Sequence, residues 1–161
     1  MRNQRKKNYL TTTFAVASLA LLPMPLMAAD DGHDHAAPAA HEAHADHMLE
    51  GYAVVADVLF KDDLAAAKKA AAGMVKHDKD SAMAKPAQSI ADSKSIAEAR
   101  KHFEMLSKAA IPVAKKAKVM FVAHCPMAMD GKGADWLQEK NDEIKNPYMG
   151  QKMPKCGKFK K

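Results

Sequence analysis

Cysteine and long apolar runs are scarce in this 161-residue chain. Two cysteines exclude the disulfide-dense scaffolds of small secreted proteins and any zinc site built from four thiolates. No apolar run approaches the roughly 20 residues that cross a bilayer, so we expect no stable membrane insertion. A Gly-rich phosphate loop and a Gly-x-Ser-x-Gly elbow are also absent, which removes the commonest nucleotide-binding and hydrolase signatures.

The first 29 residues have the pattern of a secretory signal peptide. Four basic residues precede an apolar stretch of about 13 residues, and small residues then lead to Asp30. This order predicts export to a bacterial periplasm, with cleavage after Ala28 or Ala29. The leader carries four of the 25 Lys and Arg residues and none of the 19 Asp and Glu residues. The remaining 21 against 19 leave a charge of about +2, so we expect no nucleic-acid partner.

A low-complexity tract at residues 30–47, here called the His-rich tract, has no large apolar residue to bury. We expect it to be disordered or loosely helical. Such tracts bind Zn(II), Cu(II) or Ni(II) weakly, and a solvated linker is an equal alternative. Its five histidines are candidate weak ligands: His33, His35, His41, His44 and His47.

Apolar periodicity then predicts an all-α fold, a small antiparallel bundle of three to four helices. The first helix is expected from residue 48 to about 60, and the second from Leu64 to His77 after an N-cap at Asp62 or Asp63. Ile90 indicates a short helical turn. A long helix with an a/d-type stripe is expected from residue 92 or 95 to 118, kinked or thinned by a late proline.

After this helix the sequence predicts an irregular Cys- and Met-rich C-terminal segment, punctuated by Gly and Pro. Residues 119–123 are expected to be extended, either packed on the bundle or forming one strand. The chain is therefore divided into a signal peptide (1–29), the His-rich tract (30–47), a helical domain of metal-binding type (48–158) and a basic tail (159–161).

Both cysteines lie in the C-terminal segment, among methionines and one histidine. Thiolate, thioether and imidazole are the ligands that select soft metals, above all Cu(I). Thioethers are poor ligands for Zn(II), although a Cys2His zinc site through the histidine stays open. The candidate ligands are His124, Cys125, Met127, Met129, Met149, Met153 and Cys156.

Two other interpretations of the cysteines are open. A disulfide between Cys125 and Cys156 would close a stretch of about 32 residues and stabilise the fold by roughly 3–4 kcal/mol. The spacing favours this disulfide as much as a metal site. A thiol beside His124 is also a possible nucleophile. Sequence neighbours rarely form such a dyad and no third orienting group is evident, so we do not expect an enzyme.

The C-terminal segment contains Cys-Pro-Met-Ala at 125–128, Lys-Gly-Ala-Asp-Trp-Leu at 132–137 and Ile-Lys-Asn-Pro-Tyr-Met-Gly at 144–150, then Met153 and Cys156. This order resembles a bacterial domain of unknown function. That domain occurs alone in exported proteins and at the C-terminus of periplasmic adaptor subunits of copper and silver efflux systems. The resemblance covers about residues 47–158.

The resemblance implies a helical domain with a copper-related periplasmic role. Cys125, Met127, Met153 and Cys156 match the soft-donor positions of that domain. We therefore expect a protein that binds Cu(I), and by the same chemistry Ag(I), for sequestration or delivery to a heavy-metal efflux complex. The His-rich tract would be a lower-affinity collector. The alternative is a disulfide-stapled interaction module of an envelope or efflux complex that binds no metal.

Overall fold

Four helices and a small sheet make up residues 38–161, the part of the chain that the computed structural model describes, with side chains from residue 45 onwards. The signal peptide and the start of the His-rich tract lie outside these residues. The elements are α1 (Pro38–Phe60), α2 (Leu64–His77), α3 (Ala84–Asp92), α4 (Ile96–Ala117), β1 (Phe121–Cys125), β2 (Ala134–Gln138), a 3-10 turn (Gly150–Lys152) and β3 (Lys158–Phe159).

The helical bundle is confirmed, but the fold is not purely all-α. The segment expected to be irregular contains a three-stranded antiparallel sheet in the order β2-β1-β3. Ala123 in β1 pairs with Trp136 on one side and Phe159 on the other. The tail at 159–161 takes part in the sheet, since the Lys160 N–H donates to the Val122 carbonyl at 2.8 Å. β1 overlaps the segment 119–123 that was expected to be extended, whereas β2 and β3 are too short to give a periodicity that reveals them in the sequence.

Capping residues define where α2 and α4 begin, as expected. The Asp63 carboxylate accepts the Ala66 N–H at 2.9 Å, and the Ser95 hydroxyl accepts the Glu98 N–H at 3.2 Å. Each bond satisfies an N–H that has no partner within its own helix. α4 continues past Pro112 to Ala117 and ends at a left-handed residue.

Two helices are longer than the sequence pattern predicts. α1 begins at Pro38, so the second half of the His-rich tract is helical, one of the two states expected for it. Proline is favoured at the first helical position and alanine throughout, which explains this extension. α3 covers nine residues where a single turn was expected. Pro86 lies in its first turn, where a missing N–H does no harm.

The core lies between α1 and α4 and extends to the sheet. Tyr52 and Phe103 are fully buried, with ring centroids 5.1 Å apart, and Trp136 is fully buried on β2. Ala67 and Ala71 are also fully buried and present little side chain, which brings the backbone of α2 close to its neighbours. None of the helices between residues 38 and 161 has the length and apolar character needed to cross a membrane.

The outer edge of β2 is capped by side-chain hydroxyls from the helices and the C-terminal loop. The Leu137 N–H donates to the Tyr52 hydroxyl at 3.0 Å, and the Tyr148 hydroxyl donates to the Asp135 carbonyl at 2.8 Å. The Ser107 hydroxyl lies between the two phenols, 2.8 Å from Tyr52 and 3.1 Å from Tyr148. An outer strand would otherwise leave these backbone groups unpaired.

The donor in each hydrogen bond of this hydroxyl chain follows from the number of protons that each group carries. Asp135 offers only a carbonyl, so Tyr148 must give its one proton there, and Ser107 then donates to Tyr148. Tyr52 accepts from the backbone and donates to Ser107. Burial raises the pKa of both phenols, which keeps their protons in place. Each hydroxyl therefore makes one bond as donor and one as acceptor.

Candidate metal centre

The two cysteines, 31 positions apart in sequence, have their side chains in contact. Cys125 ends β1 and is fully buried, and Cys156 lies two residues before β3 and is half-buried. Both are free thiols. The interaction with the Cys125 thiol, together with burial, raises the pKa of Cys156. The Met127 backbone acts on this pKa in the opposite direction. A metal ion bound here would displace the thiol protons.

The first loop turns tightly after Cys125. The Cys125 carbonyl accepts the Ala128 N–H at 3.4 Å, and the Ala128 carbonyl accepts the Gly133 N–H at 2.9 Å. Ala128 is fully buried, so it anchors the loop. The Met127 side chain is 57% exposed, whereas Met129 is half-buried against the core. The loop thus leaves the Met127 side chain open to solvent, two residues after Cys125.

The second loop is organised by Asn146, a fully buried residue for which the sequence pattern predicted no role. Its side-chain N–H donates to the Cys156 carbonyl at 2.7 Å, and its side-chain oxygen accepts the N–H groups of Tyr148 and Met149. Its backbone N–H donates to the Pro154 carbonyl at 2.9 Å. The signal was the Asn-Pro pair, since asparagine before proline favours such side-chain turns.

The methionines of the second loop differ in exposure. Met153 is 37% exposed, and its carbonyl accepts the Cys156 N–H at 3.2 Å. Met149 is half-buried and packs on the hydrophobic core. Met153 therefore keeps a partly exposed side chain three residues before Cys156, whereas Met149 has a packing role that accounts for its burial.

Arg100 on α4 holds this loop against the helices, an arrangement here called the Arg100 clamp. Its Nε donates to the Pro147 carbonyl at 2.7 Å, and Nη2 donates to the Leu59 carbonyl at 2.8 Å and to the Asp62 carboxylate. Asp62 also accepts the Gln151 N–H at 3.1 Å. The sequence pattern predicts a capping role for Asp62, but this residue joins the α1–α2 corner to the second loop.

The Arg100 clamp predicts a loss of stability in acid. The hydrogen bond from Arg100 lowers the pKa of Asp62 below its usual value of 3.8. A depressed pKa stabilises the fold above the unfolded-state value, and this contribution is lost as pH falls through the folded-state value. We expect the difference in unfolding free energy between wild type and Asp62→Asn to be constant near neutral pH and to shrink below about pH 4.

Urea denaturation at a series of pH values measures this difference. Asp57→Asn is the matched control, because Asp57 pairs with Lys61 one turn away on the exposed surface of α1 and should contribute little. A wild-type advantage over Asp62→Asn that stays constant into strong acid would contradict the assignment.

His124 lies outside the thiol pair. Neighbouring residues of a strand point to opposite faces, so His124 and Cys125 face apart. The His124 Nδ1 is 2.7 Å from Asp135, whose other oxygen is 2.5 Å from the Lys160 ammonium. Burial opposes ionisation of Asp135, but these partners lower the pKa of its carboxyl. In residues whose side chains are described, no three His, Cys, Asp or Glu groups are placed to hold a metal. The Cys2His zinc site stays a prediction.

Of the five histidines of the His-rich tract, His47 alone has a described side chain. His33 and His35 lie outside the described residues, and His41 and His44 are placed in α1 by backbone only. His47 is exposed on α1, with Nδ1 3.2 Å from a Glu50 oxygen. The collector role expected for this tract stays a prediction.

Comparison of the chain with protein-family models, curated proteins and solved structures finds no match. The resemblance to the efflux-adaptor domain therefore stays a prediction. The site is defined by its own chemistry, with two thiols in contact and two exposed thioethers in the same loops.

Proposed function

We propose that this protein binds Cu(I), and by the same chemistry Ag(I), after export to the periplasm, and sequesters the ion or delivers it to an efflux system. The observation that carries the proposal is the contact between the thiols of Cys125 and Cys156, brought together from two loops. Thiolates are ligands for soft ions, and Cu(I) is the soft ion most suited to a mixed thiolate and thioether site.

The exposed methionines support a soft ion in particular. Methionine in a folded protein normally fills the core. Met127 and Met153 are instead 57% and 37% exposed, two residues after one cysteine and three residues before the other. Thioethers add little for Zn(II) but match Cu(I) and Ag(I). Cys125, Cys156, Met127 and Met153 form the proposed ligand set, and His124 is left out.

Anaerobic titration of the reduced full chain with Cu(I), against a competing chelator, tests the proposal. The parent protein for this titration has its five tract histidines changed to Gln, and all variants are made in it. We expect the parent to bind one Cu(I) ion per chain. Cys125→Ser/Cys156→Ser should weaken binding by at least about 100-fold, since loss of outer-shell partners alone costs 10–100-fold. Met127→Leu and Met153→Leu should each weaken it by about 10-fold.

Met105→Leu is the control, because Met105 is 49% exposed on α4, a different element of the fold. Absence of Cu(I) binding in the parent with reduced cysteines would overturn the proposal and assign metal chemistry to the histidines. An affinity unchanged in Met127→Leu/Met153→Leu would remove the thioethers from the site.

The same thiol contact favours a second candidate function, a disulfide-stapled interaction module that binds no metal. Transfer of two electrons and two protons from the thiols to a disulfide-carrying oxidant would join Cys125 to Cys156 and tie the two loops together. The two functions differ in the state of the thiols in cells. Alkylation and mass spectrometry of protein isolated from copper-exposed cells without reductant separates them, because an intact disulfide favours the module and free or metal-bound thiols favour copper binding.

A further inference from the structure

Two exposed histidines from different helices face each other at one end of the bundle. His47 lies on α1 and His77 is the last residue of α2. Their ring centroids are 5.0 Å apart and the ring planes meet at 65°. The two residues are 30 positions apart in sequence, so their meeting results from the packing of α1 against α2.

This separation suits two imidazoles bound to one metal ion. A metal–nitrogen distance of about 2.0–2.1 Å places two rings on a tetrahedral ion with centroids roughly 5 Å apart. To share an ion, each side chain would rotate to direct one ring nitrogen at it. Both side chains are exposed, so an ion can enter from solvent.

Glu50 supplies the outer carboxylate that histidine ligands commonly have. Its Oε2 is 3.2 Å from the His47 Nδ1. A proton on Nδ1 directed at this carboxylate leaves the Nε2 lone pair for a metal, and such partners orient the ring and raise its basicity. This contact sets His47 apart from an ordinary solvated histidine.

We propose that His47 and His77 form a second metal site, separate from the thiols, which binds a borderline divalent cation such as Ni(II), Cu(II) or Zn(II). Imidazole suits these ions, whereas thiolate and thioether select Cu(I). The backbone of His44 precedes His47 by one turn of α1, so the His-rich tract leads directly to this site. Bound metal would link α1 to α2 and stabilise the folded state.

Calorimetric titration with Ni(II) tests the site in the full chain with four tract histidines changed to Gln and His47 retained. We expect one Ni(II) per chain. His47→Gln or His77→Gln should weaken binding at least about 100-fold, and Glu50→Gln by about 10-fold. This protein with four histidines changed is the parent for the Ni(II) experiments. Ni(II) should also raise the Tm of this parent but not the Tm of its His77→Gln variant. The four changed residues are His33, His35, His41 and His44.

Two controls separate this site from the rest of the chain. His102→Gln, on α4, should leave the Ni(II) affinity unchanged, and so should Cys125→Ser/Cys156→Ser. The inference is overturned if the parent binds no Ni(II), if His77→Gln binds as tightly as the parent, or if loss of the cysteines abolishes Ni(II) binding. Retained Cu(I) binding in His47→Gln/His77→Gln shows that the two sites are independent.

Discussion

Replacing Gly150 with alanine is expected to lower the free energy of unfolding by roughly 3–5 kcal/mol. Gly150 has φ +53, a left-handed conformation that costs other residues about 1–2 kcal/mol. A Cβ at this position would also overlap the Asp62 carboxylate and the Arg100 guanidinium. The Arg100 clamp would have to open, which removes charge-assisted hydrogen bonds of about 1.5–3 kcal/mol.

Substitutions at two other glycines separate the backbone strain from the loss of the Arg100 clamp. Gly131 has φ +83 with open space where a methyl group would be added, so Gly131→Ala should cost only the backbone strain, about 1–2 kcal/mol. Gly73 lies within α2, also in open space, and Gly73→Ala should stabilise by about 0.5–1 kcal/mol. Urea denaturation of the three variants measures the series. Equal losses in Gly150→Ala and Gly131→Ala would mean that the Arg100 clamp contributes nothing.

Replacing Ser107 with alanine should destabilise the protein by roughly 3 kcal/mol, the second large effect that we expect. Ser107 is the middle member of the hydroxyl chain and is 1% exposed. Its loss leaves Tyr52 without an acceptor and Tyr148 without a donor. Each buried donor or acceptor that loses its hydrogen-bond partner costs about 1–3 kcal/mol. Because burial raises the pKa of both phenols, neither can adapt by losing its proton at neutral pH.

Ser93→Ala is the matched control. The Ser93 hydroxyl is also buried, but it donates to the Ser89 carbonyl one turn earlier, at the C-terminal end of α3, at 2.9 Å. We expect a loss of about 1 kcal/mol there, the net value of an ordinary hydrogen bond. The measurement is chemical denaturation. The slope of the unfolding free energy against denaturant concentration should be the same in wild type and both variants. A loss in Ser107→Ala no larger than in Ser93→Ala would contradict a continuous hydroxyl chain.

Local patterns predicted the helical part of the fold well. The apolar stripe of α4 and the caps at Asp63 and Ser95 involve residues within one or two turns of each other, so the sequence contains the whole signal. The strands were harder to predict, because β1 and β2 have five residues each and β3 has two. Their pairing depends on partners outside any short window.

The sequence by itself determined that the helical bundle forms and that the soft donors are concentrated in two loops, since both depend on residue type and near spacing. Only the tertiary structure decided that the two thiols meet, that His124 faces away, and that His77 lies against His47. One hydrogen bond of the hydroxyl chain likewise joins residues 85 positions apart. Such contacts come from the packing of separate elements, and periodicity reports only which face of each element is buried.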